Sequence, residues 1–171
     1  MAIKTGDKLP EATFMVMTAE GPAAKTVADV FSGKKVALFA IPGAYTPTCQ
    51  KQHVPGFVDR VDELKEKGID TIACTAVNDA FVMAQFAKDT GADGKILMLA
   101  DGNADFVKKI GLDFDGSGFG LGVRSKRYAM LALIGFRSSG AGSDGKMGLK
   151  IASVCVAQFS RAKFKPCLRC S

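Results

Sequence analysis

Residues 35–58 read KVALFAIPGAYTPTCQKQHVPGFV, and this stretch contains the transition that organises the fold. Residues 35–41 are a short apolar run of the kind that buried strands use. The Pro-Gly pair at 42–43 interrupts that run. Thr46-Pro47 follows as a helix-start signature, because threonine caps helices and proline at the first helical position has its φ angle preset. The stretch therefore predicts a buried strand, a break and a helix with Cys49 in its first turn.

The chain continues as alternating strands and helices. The first helix should run to Gly68, with apolar residues on one face at three- and four-residue spacing and a kink at Pro55. Asn78 is the predicted cap of a second long helix at 79–88. The other elements predicted are strands at 12–17, 70–77, 96–100 and 126–133 and a short helix at 104–110. An apolar run at 149–156 follows in the C-terminal part.

This alternation with short turns predicts an α/β fold, a mixed sheet with helices on both faces. The chain has 171 residues and 47% apolar content, which is typical of one folded domain and excludes a disordered or collagen-like protein. Apolar runs such as residues 36–41 are far shorter than the roughly 20 residues that cross a bilayer. We find no internal repeat.

The cysteine pattern favours a reducing compartment. The chain has five cysteines, an odd number, at positions 49, 74, 155, 167 and 170. The N-terminal residues 1–14 have neither the apolar core of a secretion signal nor an Arg-rich amphipathic pattern. We therefore expect a cytoplasmic protein without a disulfide scaffold. One of its cysteines is then a candidate for a reactive thiol.

Cys49 is the strongest candidate nucleophile. The first turn of a helix presents free N–H groups and a partial positive charge, and both favour the nucleophilic thiolate. Thr46 can turn its hydroxyl toward the sulfur or toward an oxygen bound beside it. Pro42 can shield the thiolate from water. His53, four residues on and on the same helical face, either helps to hold the anion or packs in the core.

Three segments carry a family resemblance. Residues 42–49 contain the spacing P-x3-T-x2-C, and residues 50–57 continue it with QKQHVPGF. The other two segments are ACTAVNDAFV at 73–82 and VRSKRYAM at 123–130. Together they resemble the peroxiredoxins, specifically the peroxiredoxin-5 (type II) subfamily. The resemblance covers residues 3–131, about three quarters of the chain.

The resemblance implies a thioredoxin-like fold and an antioxidant thiol peroxidase. Such an enzyme reduces hydrogen peroxide and alkyl hydroperoxides without a metal or organic cofactor. Cys49 would be the peroxidatic cysteine, which attacks the peroxide and becomes sulfenic acid. Arg124 would correspond to the arginine that sits over the thiolate and polarises the peroxide. Thr46 would hydrogen-bond the peroxide, and Pro42 would shield the site.

The resemblance also suggests partners. Cys74 lies 25 residues after Cys49 on a predicted strand, and the subfamily has members in which a cysteine there resolves the sulfenic acid. Others leave that cysteine inert and use glutathione with glutaredoxin, or thioredoxin, as the reductant. Because Cys74 is flanked by apolar residues, we favour a buried structural role over a resolving one. A homodimer is the usual assembly.

Residues 132–171 do not match the family. They carry seven Lys/Arg against one acid, Asp144, whereas residues 1–131 have no net charge. We therefore divide the chain into a domain at 1–131 and a divergent basic, Cys-rich segment, for which a shifted reading frame or a replaced end is our hypothesis. Its basic residues are spaced singly and with few aromatics, so nucleic-acid binding is not favoured.

We assign no function to two short motifs in this segment. Residues 140–145 fit G-x-G-x-x-G, but they lack the strand–helix context and the downstream acid of a dinucleotide site. Residues 167–170 form C-x2-C, for which Cys155 and the single histidine, His53, are a poor set of further zinc ligands.

Two alternatives to the peroxidase remain. A thiol–disulfide oxidoreductase would need C-x2-C at the helix start, where this chain has Thr46. A redox sensor or binding module would be oxidised once, whereas a peroxidase turns over many times.

Overall fold

The computed structural model describes residues 1–47, 49–133 and 150–155. Within these ranges there are nine strands and five α-helices. The strands are β1 Thr13–Thr18, β2 Gly21–Thr26, β3 Val36–Ala40, β4 Thr71–Ala76, β5 Leu97–Ala100, β6 Asp113–Asp115, β7 Val123–Ser125, β8 Tyr128–Leu133 and β9 Lys150–Cys155. The helices are α1 Val27–Phe31, α2 Val54–Val58, α3 Val61–Glu66, α4 Ala80–Asp89 and α5 Asp105–Lys109. A π-helical turn at Cys49–His53 precedes α2, and a 3-10 turn at Ser117–Phe119 follows β6.

Seven of the strands form one mixed sheet in the order β2-β1-β5-β4-β3-β8-β9. The inner strands β3, β4 and β5 are parallel, and every other pairing in this sheet is antiparallel. The strand β3 lies between β4 and β8, and its last residue, Ala40, pairs with Thr75 on one side and Tyr128 on the other. The segment that leaves β3 therefore starts beside the ends of two neighbouring strands.

Helices cover both faces of the sheet, which confirms the predicted fold class. The helices α1 and α5 contribute Val30, Phe31 and Phe106 to the core on one face. The helices α2, α3 and α4 pack on the other face, where Phe57 and Phe86 are buried. Burial of these apolar side chains, worth about 1.5–3 kcal/mol for each large one, is the main stabilising term.

The helix predicted from the first turn to Gly68 is interrupted. It consists of the π-helical turn, α2 and α3, with a break at Asp59 and Arg60. Pro55 lies in the first turn of α2, where a missing N–H costs little because first-turn amides have no intrahelical acceptor. The predicted cap of α4 was also wrong by one residue. Asp79 is the N-cap and accepts a hydrogen bond from Val82 N.

The C-terminal segment contributes one strand to the described structure. The predicted apolar run at 149–156 contains β9, which pairs with β8 at the edge of the sheet. The motifs predicted at 140–145 and 167–170 lie outside the described residues. None of the helices in the described part of the chain combines the length and apolarity needed to cross a membrane. The division of the chain at residue 131 stays a prediction.

Candidate active site

A tight turn at residues 43–46 connects β3 to the helical segment. Thr46 Oγ1 donates a hydrogen bond to the carbonyl oxygen of Gly43 at 2.9 Å. The amide of Ala44 donates to Asn78 Oδ1 at 3.0 Å, so the side chain of Asn78 holds this turn and leaves the capping of α4 to the next residue. Tyr45 has a φ of 63°, in the left-handed region that few non-glycine residues adopt. The side chain of Thr46, within the turn, and that of Asn78, after β4, thus hold the turn in place.

Cys49 begins the π-helical turn and is completely buried. The carbonyl oxygen of Thr46 accepts a hydrogen bond from Gln50 N at 3.0 Å, which joins the turn to the start of the helical segment. The hydroxyl of Thr46 is directed to Gly43 rather than to a helix amide. Pro42, half-buried, lies where β3 ends. Pro42, Thr46 and Cys49 therefore belong to one short segment that these hydrogen bonds anchor.

A guanidinium group contacts the sulfur. Nη2 of Arg127 donates to Sγ of Cys49 across 3.2 Å. Arg127 is half-buried and lies in the link between β7 and β8. The contact places a positive charge beside the sulfur, where it can stabilise negative charge that develops during a reaction.

The family resemblance implied Arg124 at this position, and the structure places its guanidinium elsewhere. Nη1 of Arg124 donates to the carbonyl oxygen of Val77 at 2.8 Å, and Nε donates to that of Leu121 at 2.8 Å. Arg124 lies in β7, paired with Phe114 of β6. That pairing directs its guanidinium to the end of β4, while Arg127 follows β7 and reaches the sulfur.

His53 packs in an aromatic group. Its ring meets Phe39 and Phe57 edge-on, at centroid distances of 5.4 Å and 5.5 Å, and those two phenylalanines are stacked on each other. Burial, and secondly the charge of Arg127, lowers the pKa of His53 to about 4. The ring is therefore uncharged at neutral pH and supplies no positive charge to an anion at Cys49. The contacts fit the packing alternative.

Cys74 is the second cysteine whose side chain is described. It lies in β4, opposite Phe39 and Met98 in the sheet register, and is completely buried. Burial, with a smaller effect from Cys49, raises the pKa of the Cys74 thiol well above its ordinary value. The thiol therefore stays protonated and unreactive in the folded state. This fits a structural role, while the resolving role stays a prediction.

Sequence reasoning missed two residues of the site, Arg127 and Asn78. Both lie in the quoted segments 123–130 and 73–82, so the segments were found but the roles within them were not. Asn78 directly after a strand resembles a helix cap, and the neighbouring Asp79 takes that role.

Comparisons with known proteins agree with this architecture. The Redoxin family model matches residues 4–133. Peroxiredoxin-2E, chloroplastic, from Arabidopsis thaliana is 50% identical over 135 residues, which cover 77% of this chain and 58% of the relative. The chain spans less than two thirds of the length of the first curated relatives that it matches.

Two solved structures are similar along most of their length. Reduced Prx3 from Vibrio vulnificus in complex with H2O2 is 42% identical, with a TM-score of 0.79, covering 95% of this chain and 92% of that one. Peroxiredoxin 5 from Alvinella pompejana is 35% identical, with a TM-score of 0.74, covering 91% and 90%. These likenesses confirm the thioredoxin-like fold.

Proposed function

We infer the function from the premise that this chain belongs to the Redoxin family and is a peroxiredoxin, and we propose that it is a thiol-dependent peroxidase. The observation that carries the proposal is the 3.2 Å contact between Arg127 Nη2 and Cys49 Sγ. This contact joins a nucleophile to a fixed cation at the start of a helical segment. Such an arrangement serves a reaction in which a thiolate attacks and negative charge develops beside it.

In the first step the Cys49 thiolate attacks one oxygen of a hydroperoxide ROOH. A sulfur–oxygen bond forms as the oxygen–oxygen bond breaks, and the alkoxide RO⁻ leaves. The alkoxide takes up a proton and departs as the alcohol, or as water when R is hydrogen. Cys49 is oxidised by two electrons to the sulfenic acid, and the peroxide is reduced by the same two.

The surrounding residues have separate roles in this step. Arg127 would hold the thiolate and stabilise the charge that develops on the leaving oxygen. Thr46 would hydrogen-bond the peroxide once its hydroxyl turns from Gly43, and Pro42 would shield the sulfur from water. Because Cys49 is completely buried, the groups that cover its sulfur must move to admit the peroxide.

The second half-reaction needs an external thiol. One thiol R′SH attacks the sulfenic sulfur and releases water, leaving a mixed disulfide on Cys49. A second thiol then attacks that disulfide, releases R′SSR′ and restores the Cys49 thiol. We propose glutathione with glutaredoxin, or thioredoxin, as the source of these thiols.

We propose hydrogen peroxide and alkyl hydroperoxides as substrates. The Vibrio vulnificus relative, whose structure contains H2O2, supports the first of these. A homodimer, which the family resemblance implies, and a cytoplasmic location, which the sequence favoured, are likewise proposals.

The test is turnover by the purified, reduced protein. We expect it to consume many equivalents of hydrogen peroxide with dithiothreitol as an unselective reductant, and we expect Cys49→Ser to consume none above the buffer rate. A single equivalent consumed would favour the sensor alternative. A folded protein, checked by circular dichroism, that consumes no peroxide would refute the proposal.

A further inference from the structure

Arg124 joins three segments that surround the candidate site. Its Nη1 donates to the carbonyl oxygen of Val77, at the end of β4, and its Nε donates to that of Leu121, in the loop before β7. The third segment is the turn at residues 43–46, against which the same guanidinium packs. Each contact is made to a different stretch of backbone, so the side chain ties them together.

The contact of Arg124 with the turn is close at Gly43. A Cβ atom at Gly43 would lie 3.3 Å from Arg124 Nη1 and 3.4 Å from Thr46 Cγ2. Gly43 does not have a positive φ, so its backbone conformation is open to other residues. A side chain at this position would press against the guanidinium, which would have to shift by a few tenths of an ångström to make room.

The neighbouring contacts extend this tie to Thr46. Asn78 follows Val77, and its Oδ1 accepts a hydrogen bond from the Ala44 amide at 3.0 Å. Thr46 in turn donates its hydroxyl to Gly43. A continuous series of contacts thus runs from Arg124 through residues 77–78 to the turn and ends at Thr46, three residues before the sulfur.

We propose that Arg124 is a positioning residue. Together with Asn78, it fixes the turn at 43–46 and so holds the backbone of Thr46 where its hydroxyl can turn to a peroxide at Cys49, while Arg127 acts on the sulfur itself. This inference rests on the proposed peroxidase function. The planar guanidinium donates in two fixed directions at once, which the single ammonium of lysine cannot reproduce.

The first experiment measures the rate of Cys49 oxidation by hydrogen peroxide in single-turnover stopped flow. We expect Arg124→Gln to lower the second-order rate constant about 10- to 100-fold, the range for a reacting group that is misplaced by about 1 Å. Arg124→Lys should lower this rate constant less than Arg124→Gln does, but should not restore the parent's value. The lysine variant replaces the glutamine variant in the test if the latter does not fold. Lys126→Gln, which removes the same charge from an exposed neighbour, is the matched control and should react like the parent protein.

A second readout separates positioning from an effect on the sulfur. Alkylation of Cys49 by iodoacetamide in the absence of peroxide reports on the sulfur alone. We expect Arg124→Gln to be alkylated at the parent's rate, whereas Arg127→Gln should be alkylated more slowly. The variant Asn78→Ala should slow Cys49 oxidation as Arg124→Gln does. The double variant should slow it by a factor smaller than the product of the two single-variant factors, because both residues hold the same turn.

Hydrogen exchange tests whether Arg124 holds the turn at 43–46, and it needs no activity assay. Arg124→Gln should speed exchange of the Ala44 amide about tenfold, because that amide is protected by a contact that the variant loosens. Lys126→Gln should not change it. An unchanged Ala44 exchange rate, or an unchanged oxidation rate in an active parent, would overturn the inference. If the parent protein consumes no peroxide but Ala44 exchange is faster in Arg124→Gln, the proposed function is refuted. The role of Arg124 in holding the turn at 43–46 would then still stand.

Discussion

Nη2 of Arg127 lies 3.2 Å from Sγ of Cys49, although 78 positions separate the two residues in the sequence. The contact is made across the sheet, because Cys49 follows β3 and Arg127 precedes β8, and these two strands are neighbours. The pairing of these two adjacent strands thus places the Arg127 guanidinium beside the buried sulfur of Cys49. The chemistry depends on that pairing as much as on the two side chains.

Replacing Arg127 should therefore be the most damaging change short of removing the sulfur. We expect Arg127→Gln to slow peroxide reduction about 100- to 1,000-fold, the range for losing one donor that stabilises developing negative charge. Steady-state consumption of peroxide with dithiothreitol measures the effect. Arg60→Gln removes an arginine from the break between α2 and α3 and is the comparison. Equal rates in both variants would contradict the assignment of Arg127.

The buried histidine predicts a pH-dependent stability. His53 has a pKa of about 4 when folded against 6.5 ordinarily, so between these values the unfolded chain binds a proton that the folded chain does not. The stabilisation is complete above pH 6.5 and is lost as the pH falls through 4. We expect the free energy of unfolding to decrease by about 3 kcal/mol over this window for this reason alone.

The measurement is urea unfolding at pH 7, 5.5 and 4 for the parent and for His53→Gln. The chain has one histidine, so the difference between the two curves isolates its titration from that of the carboxylates. Parallel pH dependences in the two proteins would contradict a lowered pKa of His53 in the folded state.

Cys74 should be dispensable for turnover. Its thiol is completely buried with a raised pKa, so we expect Cys74→Ala to retain the parent's rate within about twofold when dithiothreitol is the reductant. Its unfolding free energy should fall by about 1 kcal/mol for the lost core volume. Peptide mapping after one equivalent of peroxide checks the same point, since a Cys49–Cys74 linked peptide would establish the resolving role.

Gly43 and Gly118 form a matched pair of glycines. Gly43→Ala should slow peroxide reduction about tenfold or more, because the new methyl group meets the Arg124 guanidinium at 3.3 Å and displaces it or the turn. Gly118→Ala has nothing within 4 Å of its new Cβ and should keep the parent's rate. Both rates come from the same peroxide assay. A normal rate for Gly43→Ala would show that the turn tolerates the displacement.

The sequence was sufficient where one local pattern decided the structure. The strand β3, the break after it and Cys49 at the start of the helical segment follow from an apolar run, a Pro-Gly pair and a capping signature. The strand β2 was missed because its sequence, GPAAKT, is poor in strand-forming residues. It forms through tertiary pairing with β1, in register from Thr13 and Thr26 to Thr18 and Gly21.

The choice between Arg124 and Arg127 was beyond the sequence. Both lie in the run Arg-Ser-Lys-Arg at 124–127, and alternation along a strand would assign them to opposite faces. The side that each one faces depends on where β7 ends and β8 begins. That boundary is set by pairing with β6 and β3, which are distant in sequence.

The position of β8 has a consequence for inheritance. The strand starts at Tyr128, directly after Arg127, and its outer neighbour is β9, built from residues 150–155. We expect two alleles with identical first 149 codons to differ in the defence that they give a cell against peroxide, whenever the later codons alter the pairing of that outer strand. Natural selection on detoxification would then act on the codons of an edge strand that pairs with β8.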